Sequence, residues 1–336
     1  MKNRKAQLAL VSAIALLLGA ILGCSKLANK PDWTKARKIA GKEQGLSHIS
    51  GLVVDDEFAY VTIGGTIADQ NEHTSGLRKV ALDSGAVMTL DDGTNLPQSD
   101  VGGIAIDEHF IYWNGGGKIL RISKDGGKPE TVASDDVGIG IDMVVDNENV
   151  YWANHGYYSG NSQPARPIYV VSKKGAKPEI FADQQNIPHC LVVDEKYVYW
   201  LTSSGILKQA KSGGQPQVVS QISDKEGVDE LSQDADSLYF GFRSAGNSRW
   251  ALRKISKQGG EAQTLVKSYS LKPAVVDDTS VYFFDEESLM KDAFCKVPKD
   301  GGSVTRFDTG YESGPITQSK TQVYFAGLDE IYCFAK

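Results

Sequence analysis

Tyr60, Tyr112, Tyr151, Tyr199, Tyr239, Tyr282 and Tyr324 mark seven related phrases along the 336-residue chain. These read GLVVDDEFAY, GIAIDEHFIYW, DMVVDNENVYW, CLVVDEKYVYW, ELSQDADSLYF, PAVVDDTSVYF and, most worn, PITQSKTQVYF. Successive tyrosines are 52, 39, 48, 40, 43 and 42 residues apart. A self-similar period near forty built from short β-type runs is the mark of a radial β-repeat array. No helical periodicity interrupts the pattern, which excludes a helical solenoid of similar period.

One period resolves into four strands. In the second repeat, residues 103–107 form a short apolar run and Asp107-Glu108-His109 a tight polar turn. Residues 110–113 are aromatic and β-branched, Gly115-Gly116-Gly117 turns the chain, residues 118–124 (KILRISK) alternate, and residues 130–133 (ETVA) follow Asp125-Gly126-Gly127. Glycines at such turns permit positive φ. The same turn recurs at Ser212-Gly213-Gly214, Gln258-Gly259-Gly260 and Asp300-Gly301-Gly302. Four antiparallel strands per period make a propeller blade. The last repeat stops after Ile331-Tyr332-Cys333-Phe334 without a fourth strand, and residues 36–40 (ARKIA) have no other obvious place. The expectation is an all-β, seven-bladed β-propeller of four-stranded blades over residues 36–336, closed by that N-terminal outer strand, which removes an exposed edge. The tyrosines, with Trp113, Trp152 and Trp200, are expected to pack between blades.

The N-terminus carries an address. MKNRK precedes an apolar run over residues 8–22 and then Gly23-Cys24, the layout of a secretory signal and too short and isolated for a structural transmembrane helix. Ile21-Leu22-Gly23-Cys24 resembles the bacterial lipobox, although Leu22 stands where a smaller residue is usual. The resemblance implies a signal peptide over 1–23, lipidation (palmitate) at Cys24, a polar tether over 24–35 and membrane attachment through the lipid. Ser25 after the cysteine resembles the sorting signal of outer-membrane lipoproteins, which implies a bacterial envelope location facing the periplasm or the cell surface. Loss of the leader removes Lys2, Arg4 and Lys5 and takes the formal charge from −6 to −9. Such an acidic chain has no electrostatic footprint for nucleic acid. Of the other cysteines, Cys190, Cys295 and Cys333, the last two fall on equivalent strands of successive blades, too far apart to bridge.

The VYW phrase followed by a K-x-G-G turn resembles the YWTD-type propellers of lipoprotein receptors and a group of secreted bacterial propeller lipoproteins. The resemblance spans residues 36–336 and implies architecture; the receptor propellers have six blades and adjoining modules, so their protein-binding role transfers weakly. The outer-membrane-assembly lipoprotein propeller is similar in address but has eight blades.

Antiparallel blades place the fourth-to-first and second-to-third connections on one rim, where propeller ligand sites usually lie. That rim is expected to hold His48, His73, His155 and His189, with His109 on the opposite one. The two long steps come from insertions in it, residues 64–76 and 154–166, the latter carrying Tyr157, Tyr158 and Arg166. Blade five adds Arg243, Arg249 and Trp250, and blade six Asp285, Glu286 and Glu287. The candidate binding rim is therefore His48, His73, His155, Tyr157, Tyr158, Arg166, Arg243 and Trp250. Aligned first strands put Asp142, His189, Asp229, Glu230 and Lys272 at the channel mouth, either as a His/carboxylate metal or acid–base site or as a hydrated polar funnel. No phosphate loop, nucleophile elbow or zinc-type cysteine pattern occurs, so no metal or cofactor is expected. The recurring pairs Asp55-Asp56, Asp107-Glu108, Asp146-Asn147, Asp194-Glu195 and Asp277-Asp278 are read as turn caps, not cation ligands. Two functions follow. One is a monomeric, non-enzymatic binding or protein-interaction scaffold for an envelope protein or small extracellular ligand. The other is a lyase or hydrolase, with or without a metal, working at the channel mouth.

Overall fold

The computed structural model describes residues 36–336 except 65–75, 94–100, 116, 135–139, 155–165, 224–225, 245, 247–248, 269–270, 289–290 and 312–313. Residues 1–23, where a leader is expected, Cys24 and the expected tether lie outside the described residues.

Among the described residues, twenty-eight strands form seven four-stranded antiparallel sheets. The closing strand is β1 (Arg37–Ala40). Blade one holds β2 (Ile49–Val54), β3 (Phe58–Ile63), β4 (Gly76–Ala81) and β5 (Val87–Asp91). Blade two holds β6 (Val101–Ile106), β7 (Phe110–Gly115), β8 (Lys118–Ser123) and β9 (Glu130–Ala133). Blade three holds β10 (Gly140–Val145), β11 (Asn149–Asn154), β12 (Arg166–Ser172) and β13 (Glu179–Gln185). Blade four holds β14 (His189–Val193), β15 (Tyr197–Thr202), β16 (Gly205–Ala210) and β17 (Gln217–Gln221). Blade five holds β18 (Gly227–Gln233), β19 (Ser237–Arg243), β20 (Trp250–Ser256) and β21 (Gln263–Ser268). Blade six holds β22 (Leu271–Val276), β23 (Ser280–Ser288), β24 (Lys291–Pro298) and β25 (Thr305–Tyr311). The last sheet runs β1, β28 (Ile331–Ala335), β27 (Gln322–Ala326), β26 (Ile316–Gln318), so the N-terminal strand completes blade seven as expected. First strands of neighbouring blades touch one another around the whole ring and therefore line its axis.

The alternation of the second strand explains why each phrase reads as it does. Successive residues of a strand face opposite sides, so Val150 and Trp152 pack back onto blade two with Tyr112, Ile119 and Val132. Tyr151 between them faces forward, against Leu191, Val198 and Trp200 of blade four. Each of the seven junctions has its own apolar cluster of this kind. Trp113, Trp152 and Trp200 are fully buried. Cys295 belongs to the junction of blades five and six, and Cys333 to that of blades seven and one. Neither forms a disulfide, nor does Cys190.

On the rim of first-to-second turns, the aspartate that opens the turn in blades one to six joins a latch. Its Oδ1 caps the turn: Asp107 accepts the N–H groups of His109 (2.8 Å) and Phe110 (2.7 Å). Its Oδ2 accepts the repeat tyrosine hydroxyl, Tyr112 at 2.9 Å, and the ammonium of Lys173 at 2.6 Å from the next blade. The arrangement recurs as Asp55–Tyr60–Lys124, Asp146–Tyr151–Lys211, Asp194–Tyr199–Lys257 and Asp234–Tyr239–Lys299. Asp277 holds Tyr282 at 2.8 Å, and Lys336 occupies the equivalent strand-end position of blade seven. Turn capping is thus half of what these aspartates do; the other half ties blade to blade.

The seam between blades seven and one is built differently. Ser319 and Leu82 stand where the other junctions have aspartate and lysine, and the Tyr324 hydroxyl donates to Gln322 at 2.7 Å. Here the closing strand does the joining. Arg37 donates to the Leu82 carbonyl of blade one at 3.3 Å, while Lys38 pairs with Glu330 at 2.6 Å within blade seven.

Candidate functional site

The opposite rim departs from regular strand geometry. In each of blades one to six the first strand slips against the second: between Ile49 and Gly51, Val101 and Ile104, Gly140 and Asp142, His189 and Val192, Asp229 and Leu231, and Lys272 and Val275. A bulge bends its strand and re-aims a side chain. Of the five described non-glycine residues with positive φ, Cys190 and Glu230 lie in first strands, His48 and Ile187 in the connections leading to them, and Gln184 near the end of β13. For a β-branched residue such as Ile187 (φ 53°) this is costly backbone, and such strain gathers where a structure holds functional groups in place.

The bulge in blade four has a chemical consequence. Adjacent strand residues should face opposite ways, yet left-handed Cys190 (φ 51°) turns its thiol to the same side as His189. An imidazole nitrogen of His189, the Cys190 Sγ and a carboxylate oxygen of Asp229 all lie within 4.8 Å of one another. The Cys190 N–H donates to Asp142 Oδ2 at 3.0 Å, and its Sγ lies 4.0 Å from Asp229 Oδ1. His189 Nδ1 lies 2.9 Å from the Ile187 carbonyl. A carbonyl only accepts, so in the neutral ring Nδ1 carries the proton and Nε2 the lone pair. Burial, then the carboxylates of Asp142, Glu230 and Asp229, push the Cys190 thiol well above its ordinary pKa. His189 and Cys190 are half-buried and Asp229 is exposed, so the group opens to solvent.

Of the expected mouth residues, Asp142, His189, Asp229 and Glu230 come together around Cys190. Lys272 starts blade six opposite Phe284; its side chain lies outside the described residues. Cys190 is not among the mouth residues the sequence points to, because strand alternation turns it away from His189 and the bulge has no sequence signature.

The expected binding rim is partly displaced. Arg166 is buried at the start of β12, opposite Gln185, and is not part of an exposed lip. Asp285 is likewise buried, accepting from Ser268 and paired with Arg306. His48 is half-buried, its N–H donating to Asp329 Oδ1 at 3.0 Å across the seam. Arg243 is exposed, its guanidinium 5.2 Å from the ring centre of half-buried Trp250. The indole lies over Gly227 and Gly241, where a Cβ would sit 3.5 Å from it. His73, His155, Tyr157 and Tyr158 lie outside the described residues. Clefts of about 500 to 740 Å³ open on the latch rim; in the smaller of these two, Lys124 is paired with Asp55, which also caps its turn. We place the candidate site at the mouth because its polar groups are unlike from blade to blade, whereas those clefts repeat.

No protein family matches the sequence, and neither does any curated protein. Solved structures do. An oligogalacturonate lyase from Vibrio parahaemolyticus has a TM-score of 0.67 at 8% identity over 89% of this chain and 93% of that one. An oligogalacturonate lyase in complex with manganese gives 0.65 at 10% identity, over 90% and 96%. BamB from Moraxella catarrhalis gives 0.51 at 17% identity, over 85% and 81%. At these identities the likeness establishes the β-propeller and nothing finer.

Proposed function

We propose that this chain is a lipid-anchored protein of the bacterial envelope that binds a partner or small ligand, without turning it over, at the rim around the channel mouth. The observation that carries this reading is the contrast between the rims. One repeats a single polar motif that holds blades together, while the other carries bulges in six first strands and gathers His189, Cys190, Asp142 and Asp229 at its mouth. The leader pattern and Cys24 support the anchor, Ser25 supports the outer membrane, and the YWTD-like phrase supports kinship with secreted propeller lipoproteins. A photo-crosslinking residue in place of Arg243 or Glu230, compared with one in place of exposed Lys128 on the latch rim, tests it in intact cells. The same discrete adduct from both mouth positions and none from Lys128 is expected. No adduct from the mouth, or equal adducts from both rims, would remove the reading.

An enzymatic reading has one observation of its own: a histidine, a thiol and carboxylates converge at the mouth of a fold shared with oligogalacturonate lyases. Depolymerisation of acidic glycans by the purified protein, abolished in Asp229→Asn, would support it. Inactivity of the wild type on such polymers would dismiss that substrate class.

A further inference from the structure

The geometry points to a metal site at the channel mouth, in which His189, Cys190 and Asp229 hold one late first-row divalent ion of the zinc type. This goes beyond the binding reading, which does not require a metal.

The donor set selects the ion. An imidazole, a thiolate and a carboxylate suit zinc or cobalt, whereas calcium and magnesium take oxygen. The spacing is close to what such an ion needs. Bonds of about 2.0–2.3 Å at tetrahedral angles put ligand atoms about 3.4–3.8 Å apart. The 4.8 Å span within the group is closed by roughly 1 Å of side-chain movement, at least part of it from exposed Asp229.

The surroundings resemble the support that metal ligands receive. The Ile187 carbonyl holds His189 Nδ1–H, leaving Nε2 as the donor nitrogen, which is the usual way a ligating histidine is oriented. Asp142 fixes the Cys190 backbone at 3.0 Å. In His189-Cys190 two neighbouring residues share one side only because Cys190 is left-handed, so the bulge itself assembles the pair. Three protein donors leave a fourth position toward the open mouth, the arrangement in which an ion takes water or a ligand group.

Cobalt provides the test, since a thiolate ligand gives a near-ultraviolet charge-transfer band that nitrogen and oxygen ligands do not. The full chain, purified and stripped with chelator, is titrated with Co²⁺ and then competed with Zn²⁺. One equivalent bound with that band, displaced by zinc, is expected. Cys190→Ser loses the band, and His189→Gln and Asp229→Asn weaken binding at least about tenfold while circular dichroism stays that of a β-protein. Should Cys190→Ser fail to fold, the other two variants, which keep the thiol, decide alone. Absence of stoichiometric binding, a band that survives Cys190→Ser, or unchanged affinity in both other variants would overturn the site. Because the titration uses the metal alone, its failure leaves the binding reading to the crosslinking result, and the converse holds.

Discussion

The two rims of this propeller solve opposite problems with the same four-stranded unit. On the latch rim, an aspartate, a tyrosine and the next blade's lysine meet at five of the seven junctions, with the sixth aspartate and tyrosine following suit. The nearby hairpins place glycine where the backbone is left-handed, as at Gly126 and Gly127. Around the channel mouth the first strands bulge, and His48, Ile187, Cys190 and Glu230 take left-handed backbone that glycine would adopt more cheaply. Repetition with relaxed backbone suits holding blades together. Variation with strained backbone suits presenting particular side chains.

Acid separates the rims most strongly. Burial alone would raise the Asp107 and Asp234 carboxyls; the partner lysine, the turn N–H groups and the tyrosine hydroxyl outweigh it and hold both at about 2. Asp55, Asp146, Asp194 and Asp277 are lowered in the same direction against the same burial effect. A folded pKa below the unfolded value of 3.8 gives stability that is complete above that value and lost as pH falls toward the folded one. Equilibrium unfolding is therefore expected to become progressively easier between about pH 3.8 and 2, with the six latches failing together. A midpoint that stays flat across that window would show that the latches do not carry charge-dependent stability.

The smallest effect belongs to the mouth. Glu230→Gly relieves a left-handed residue (φ 55°) and is expected to leave stability unchanged or raise it by up to about 1 kcal/mol. A loss beyond about 1 kcal/mol, read by urea unfolding, would mean that Glu230 supports the fold and is not simply displayed.

How much of this was legible in the sequence follows the same division. The period, the four strands per blade and closure by residues 36–40 were readable because hydrophobic alternation and glycine turns are local signals. Tyr112 was readable as a packing residue. Its bond to Asp107 five residues earlier and the arrival of Lys173 from the next blade were not, since the pairing spans 66 residues. At the mouth, aligned first strands point to Asp142, His189, Asp229 and Glu230, which lie around Cys190 in the fold. The same logic missed Cys190, because a bulge reverses the side that alternation assigns. It also put Arg166 and Asp285 on an exposed rim, although both side chains are buried against neighbouring strands.

The central claim is that one rim holds the molecule together and the other is free to act. Urea unfolding of Asp107→Asn and Asp229→Asn, side by side at neutral pH with chelator present, tests it directly. The account predicts a loss of about 1–3 kcal/mol for Asp107→Asn, which strips a partly buried network of its charge, and a change within about 0.5 kcal/mol for Asp229→Asn. Equal losses, or a larger loss for Asp229→Asn, would contradict it.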